Sequence, residues 1–230
     1  MDTSYLSFHD VCLKVSDVCL LEGPYWLNDQ IINFMYEYFS QRQYANFDNI
    51  SFVCPETVQL IKFVDHESVV GIAQSLEWMH KDIIFFPLND QSTSVSDGSH
   101  WSLLVYCTCP DDSPRTPRFY HFDSGVGFNN AVSQHVANTI APVLFLTRDD
   151  ETDEDHESKV CHVPCPTQSN SYDCGVYLIL FTQFVANYYL EHGSLRWLSC
   201  ATGFSEINSS PSRSQIRELI DRIKQECEYQ

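Results

Sequence analysis

Basic residues are scarce in this chain. Thirteen Lys and Arg face 31 Asp and Glu, a formal net charge of −18 over 230 residues. A surface that neutralises phosphates needs clustered Lys and Arg, so the balance argues against nucleic acid and against anionic membrane surfaces as partners. It favours a basic partner, although part of the charge is one local run, RDDETDEDHES at 148–158, that reads as a solvated loop. Long apolar runs are also missing: no stretch approaches the roughly 18 residues of a membrane span. The N-terminus, MDTSYLSFHDVCLKVSDVCLL, has acidic residues where a secretory signal needs basic ones, and no uninterrupted apolar segment. The expectation is a soluble intracellular protein, cytoplasmic or nuclear.

A disulfide framework is absent as well. The ten cysteines, at 12, 19, 54, 107, 109, 161, 165, 174, 200 and 227, are too sparse and irregular for a small secreted scaffold. They are expected to be reduced and mostly buried. Cys107 with Cys109, and Cys161 with His162 and Cys165, are the two groupings that invite a metal reading. Neither has the repeated CxxC partner of a zinc site, so no metal is assigned.

What is present is enough apolar material, 43% of residues, for one large core, and no linker or internal repeat divides the chain. We therefore read residues 1–230 as a single domain. WLNDQIINFMYEYFSQ opens with a cap at Asn28 or Asp29 and carries Ile31, Ile32, Met35, Tyr38 and Phe39 at helical spacing. PETVQLIKFV and HESVVGIAQSLEWM continue a mainly helical first third. DIIFFPL, HWSLLVYC and RFYHFD are short, rich in β-branched and aromatic residues, and bounded by turn formers, as strands of a central sheet are. NNAVSQHVANTIAPVLFL reads as a helix interrupted or ended near Pro142, KVCHV as a strand, and CGVYLILFTQFVANYYL as a helix apolar almost all round and so buried. Ile216, Leu219, Ile220, Ile223 and Cys227 form a closing core-facing stripe. Residues 111–118 and 148–158 read as surface insertions. The arrangement is α+β.

One junction concentrates chemistry. In QSNSYDCGVYLILF a polar loop runs into Cys174 and then into the buried helix. A thiol in the first turn of a helix sits where the dipole and free N–H groups favour thiolate; as plain packing, a free Cys is a small hydrophobe. A cysteine nucleophile needs a base, a group that orients the base, and donors for the oxyanion. His100 opens the strand HWSLLVY at its end, where a cleft can form. Asp123 closes RFYHFD, where a carboxylate can hold the second ring nitrogen of that histidine. Gln168, six residues before the cysteine, can offer its side-chain amide beside the Cys174 N–H. On this reading the core holds Cys174 still and a cleft leaves it open.

The order His-Trp, then Asp, then Gln-x-x-x-x-x-Cys-Gly resembles the sentrin-specific, or ubiquitin-like-protein-specific, cysteine protease family. The matching pieces are WLND at 26–29, GSHWSLLVY at 98–106, FDS at 122–124 and QSNSYDCGVY at 168–177, in order along nearly the whole chain. HWSLLVY and NSYDCG are most similar to the members that act on the neddylation modifier. The resemblance implies a papain-like fold with a central mixed sheet flanked by helices. It also implies a Cys174–His100–Asp123 triad with Gln168 in the oxyanion hole, and hydrolysis after the C-terminal Gly-Gly of a ubiquitin-like modifier. Trp26 and Trp101 fall on positions that line a narrow tunnel for that tail, and two glycines fit where larger residues clash. Asp29 falls on a position that contacts the tail where arginine precedes the glycines, a charge-assisted pair in chemical terms. Its plainer role is helix capping. This chemistry calls for neither a metal nor an organic cofactor, and nothing demands more than a monomer.

Other readings keep part of the pattern. The same fold acting on the sumoylation modifier or on ubiquitin would retain every one of these residues. A silent modifier-binding module would need a defective triad, and a zinc-binding adaptor would need Cys161, His162 and Cys165 to converge.

Overall fold

β4 (Ile83–Asn89) and β5 (Trp101–Cys107) are almost wholly apolar, and all their residues but the last of β4 are buried. Strands of this kind are covered on both faces. They form the middle of a five-stranded sheet in the order β3 (Ile50–Phe52), β4, β5, β6 (Phe119–Phe122), β7 (Val160–His162). The outer pairs are parallel and the two inner pairs antiparallel, so the sheet is mixed. The computed structural model describes residues 2–91, 98–108, 119–145, 158–196, 198, 203–207 and 212–228. Both surface insertions read from the sequence, and Cys109 and Cys200, lie essentially outside that set.

Alternation along the strands sorts the core into two layers. Ile83, Phe85, Leu103, Val105 and Phe122 point to one face, where α2 (Asp29–Tyr38) and α6 (Cys174–His192) supply Ile31, Phe34, Val176, Phe181 and Val185. Ile84, Phe86, Leu104, Tyr106 and Phe119 point to the other, covered by α3 (Pro55–Ile61), α4 (His66–Ser75) and α5 (Asn130–Phe145). Helices flanking a mixed sheet make the fold α+β, as expected.

Local signals explain several helix starts. Asn28 caps α2, its Oδ1 accepting from the Ile31 N–H at 3.2 Å, and Pro55 takes the first position of α3, where its missing N–H costs nothing. The sequence reading misses other features. The N-terminal segment pairs as an antiparallel hairpin, β1 (Ser4–Phe8) with β2 (Val11–Lys14), before a short α1 (Val15–Cys19). β3 is also missed; three residues are too few to show a period.

α5 runs through Pro142 without ending. Pro142 and Asn138, whose carbonyl loses its helical partner, both lie on the exposed side, where water can take the bond. Burial of Ala141, Val143 and Leu144 offsets the remaining cost.

α7 (Ser212–Glu228) buries Ile216, Ile220 and Ile223, but Cys227 is exposed. The cysteines depart from expectation more generally. Of the eight described, all free thiols, only Cys107 and Cys174 are buried, while Cys12, Cys19 and Cys227 face solvent. No described helix is long and apolar enough to cross a membrane.

Candidate active site

The antiparallel register of β5 and β6 places the first two groups. Leu103 pairs with Phe122, and continuing that register past the strand ends sets position 102 opposite 123 and 100 opposite 125. His100 and Asp123, 23 residues apart in sequence, therefore emerge side by side at one end of the sheet. The His100 Nε2 to Asp123 Oδ1 distance is 2.6 Å, with both residues buried. Asp123 is held in turn by the N–H groups of Gly125 at 2.8 Å and Asn129 at 3.2 Å.

The third group comes from α6, which packs against β5 and starts at Cys174. Its thiol lies near enough to the His100 ring to be among the groups that shift it. With Nε2 engaged by Asp123, Nδ1 is the nitrogen left for the thiol. Cys174 is only 1% exposed, so the sulfur lies covered rather than in an open cleft.

Electrostatics in this corner favour a charged imidazole beside the Asp123 carboxylate. Burial works against a charged imidazole, but the interactions with the Asp123 and Cys174 side chains raise the His100 pKa to about 9. Burial opposes the Asp123 charge too, yet His100 and the two backbone donors hold it down at about 2. His121, just beneath, goes the other way: burial lowers its pKa to about 4, so it adds no second positive charge. It bonds instead to Ser102 Oγ at 3.0 Å.

The helix start is unusually free. Asp173 stands at the cap position of α6 but makes no side-chain cap bond. Its carboxylate instead accepts from Arg213 Nε at 2.7 Å and Asn170 Nδ2 at 2.9 Å. The first N–H groups of the helix have no intrahelical acceptor and are not consumed by the cap, as an oxyanion site requires.

Gln168 sits beside this corner. Its Oε1 accepts from Ser124 Oγ at 2.8 Å, its N–H donates to the Ser124 carbonyl at 3.0 Å, and Nε2 donates to the Asn170 carbonyl at 2.6 Å. One amide hydrogen is thus spent within the loop and one remains.

The two tryptophans differ. Trp101 is 7% exposed and donates from Nε1 to the Leu27 carbonyl at 2.8 Å, whereas Trp26 is 50% exposed and donates to the Ser171 carbonyl at 2.7 Å. Leu27 between them meets the start of α6. A Cβ on Gly175 would lie 3.0 Å from Leu27 Cβ, so the absence of a side chain there admits the segment that follows Trp26. Asp29 is exposed, and because Asn28 is the cap its carboxylate is free for another use.

Several supporting residues carry no signal in the sequence. Asn129 donates from Nδ2 to the His100 carbonyl at 3.3 Å and to Ser102 Oγ at 2.9 Å, besides its backbone bond to Asp123. Asp90 accepts from the N–H groups of Ser99 at 2.5 Å and His100 at 2.9 Å, anchoring the histidine's backbone. Both are ordinary turn residues by type, and only the fold brings them here. Among the described residues no three or more His, Cys, Asp or Glu side chains gather as a metal ion would need, so Cys161, His162 and Cys165 do not converge.

The arrangement can generate a thiolate, deliver a proton from the adjacent imidazolium, and stabilise an oxyanion, which together are the parts of acyl transfer to sulfur. Comparison with known proteins agrees. Residues 25–201 match the Ulp1 protease family, C-terminal catalytic domain. Human sentrin-specific protease 8 is 37% identical over 185 residues, covering 80% of this chain and 81% of that protein. NEDD8-specific protease 1 of Arabidopsis thaliana is 30% identical over 195 residues, covering 84% and 79%. Among solved structures, the C-terminal Ulp1 protease domain in complex with Smt3, the yeast ortholog of SUMO, superposes with a TM-score of 0.68 at 21% identity, covering 96% of this chain and 87% of that one. With more than half its length inside the family's catalytic domain, the chain belongs to the Ulp1 family of cysteine proteases.

Proposed function

We propose that this protease cleaves after the C-terminal Gly-Gly of a ubiquitin-like modifier of the neddylation type, maturing its precursor, releasing it from lysine, or both. The observation that carries the chemistry is His100 held at 2.6 Å by Asp123, beside Cys174 in the first turn of α6. The choice of modifier rests on the names of the sequence relatives, one of them a NEDD8-specific protease, and on the exposed, uncommitted carboxylate of Asp29.

In this mechanism the Cys174 thiolate attacks the glycine carbonyl carbon. The negative charge moves to oxygen, where the N–H of Cys174 and the remaining amide hydrogen of Gln168 receive it. Collapse breaks the C–N bond, and imidazolium His100 gives its proton to the leaving amine, leaving a thioester on Cys174. Water attacks the thioester, His100 accepts its proton, and the glycine carboxylate departs as the thiolate is restored. Asp123 keeps the ring oriented throughout. Trp26 and Trp101 border the tail and Asp29 pairs with the arginine before it.

The test is a panel of neddylation modifier, sumoylation modifier and ubiquitin, each carrying a C-terminal electrophile. The expected result is covalent capture of the neddylation modifier first, and none by Cys174→Ala. Faster capture of another modifier overturns the specificity; labelling that survives Cys174→Ala overturns the nucleophile.

A further inference from the structure

Arg213, on α7, reaches both the loop that ends at Cys174 and the segment that precedes Trp26. Its guanidinium donates to four acceptors. Nε reaches Asp173 Oδ1 at 2.7 Å, Nη1 the Leu20 carbonyl at 2.8 Å, and Nη2 both the Tyr25 carbonyl at 2.7 Å and the Tyr172 carbonyl at 2.9 Å. The group also lies 5.4 Å from the centre of the Tyr172 ring. Two of these acceptors belong to the loop that ends at Cys174, and one is the residue before Trp26.

The indole of Trp26 crosses the same gap, donating to Ser171. The two segments are thus tied together twice, once by the indole and once by the guanidinium beneath it. Trp26 is half exposed, so little packing fixes it from outside. A planar fork with five donors spread over three nitrogens reaches all four acceptors at once; an ammonium, with three donors on one atom, cannot serve all four.

We propose that Arg213 is a positioning residue that sets the spacing between the Trp26 wall and the Cys174 loop, and thereby the width of the channel that receives the modifier's tail. The proposal rests on the reading of Cys174 as nucleophile and Trp26 as a channel wall. It concerns geometry rather than charge, since lysine at this position would keep the positive charge beside Asp173 and lose the fork.

The test compares two reactions of Cys174 in Arg213→Lys and in Arg213→Gln, each assayed well below its own melting transition. Iodoacetamide is small and has only to reach the covered sulfur; a neddylation modifier with a C-terminal electrophile must also lay its whole tail along the channel. Arg213→Lys is expected to slow capture of the modifier about tenfold or more while changing alkylation by no more than about threefold, because misplacement hurts the reaction that depends on orientation. In the Trp26→Ala background the same substitution is expected to cost little further, since both residues act on one wall.

Equal losses in both reactions, unchanged capture, or losses that simply multiply with Trp26→Ala each overturn the role of Arg213. A wild-type chain that no modifier captures overturns the functional reading instead.

Discussion

A Cβ on Gly125 would lie 2.5 Å from Cε1 and 2.8 Å from Nε2 of His100. The close approach follows from the strand register, which continues to set position 125 opposite position 100. Glycine lets the turn after Asp123 close over the imidazole edge while its N–H still bonds the Asp123 carboxylate. Gly125→Ala is therefore expected to push the ring off its partners. Turnover of a modifier fusion should fall by about a hundredfold, the order expected for a displaced catalytic group. Turnover equal to wild type would mean the ring has room that the geometry denies.

The His100–Asp123 pair makes a signed prediction for pH. His100 is raised from 6.5 to about 9, so its contribution to stability is full below pH 6.5 and is lost as pH rises through 9. Asp123 is lowered from 3.8 to about 2, so its contribution is present above pH 3.8 and is lost as pH falls toward 2. The stability gap between wild type and Asp123→Asn should be widest between pH 4 and 6.5 and narrow on both sides. Denaturant melts across pH check it, and a gap that grows above pH 9 would contradict the assignment. In the same variant the imidazole should titrate lower, with turnover reduced on the order of a hundredfold.

Gln168 has one amide hydrogen to offer, because the other is spent on Asn170. Removing an oxyanion donor costs about a hundredfold or more in kcat, with KM less affected. Gln168→Ala is expected to show that split. If kcat holds and only the melting temperature drops, Gln168 merely ties its loop to Ser124.

The cap and the charge at the start of α2 are separable. Asn28→Ala should cost about 1 kcal/mol in a urea melt through loss of the cap, and also loses the 2.8 Å bond from Nδ2 to Asp17. Asp29→Lys should leave the cap intact but slow modifier capture at low salt, with the difference fading as salt screens the pair. A capture defect that ignores ionic strength would remove Asp29 from the tail contact.

Much of the frame is legible in the residues. β4 and β5 show as apolar runs and α6 as a helix without a polar face, because burial on both sides leaves no place for polar residues. Asn28 and Pro55 announce their helices by chemistry that acts within one turn. The β1–β2 hairpin is less legible: its strands are four and five residues long, and what buries their inner side is distant chain, including α7, on which Asp221 accepts from Tyr5 at 2.5 Å. Pro142 misleads for the converse reason. A local rule ends the helix there, and burial of its neighbours on the core side overrides it.

The same division runs through the site. His100, Asp123, Gln168 and Cys174 are readable as reactive types at element ends, in an order that resembles one family, because ends of strands and helices are where side chains and unpaired N–H groups meet a surface. Their pairing is decided elsewhere. The β5–β6 register brings His100 to Asp123, the absence of a side chain at Gly175 lets Leu27 against α6, and Asp173 is turned from its helix toward Arg213, 40 residues on. The sequence by itself determines which residues are able to do the chemistry, since reactivity and local conformation are properties of residue type and near neighbours. Only the tertiary structure decides which nitrogen faces which atom, because that depends on register and packing between segments that no local pattern relates.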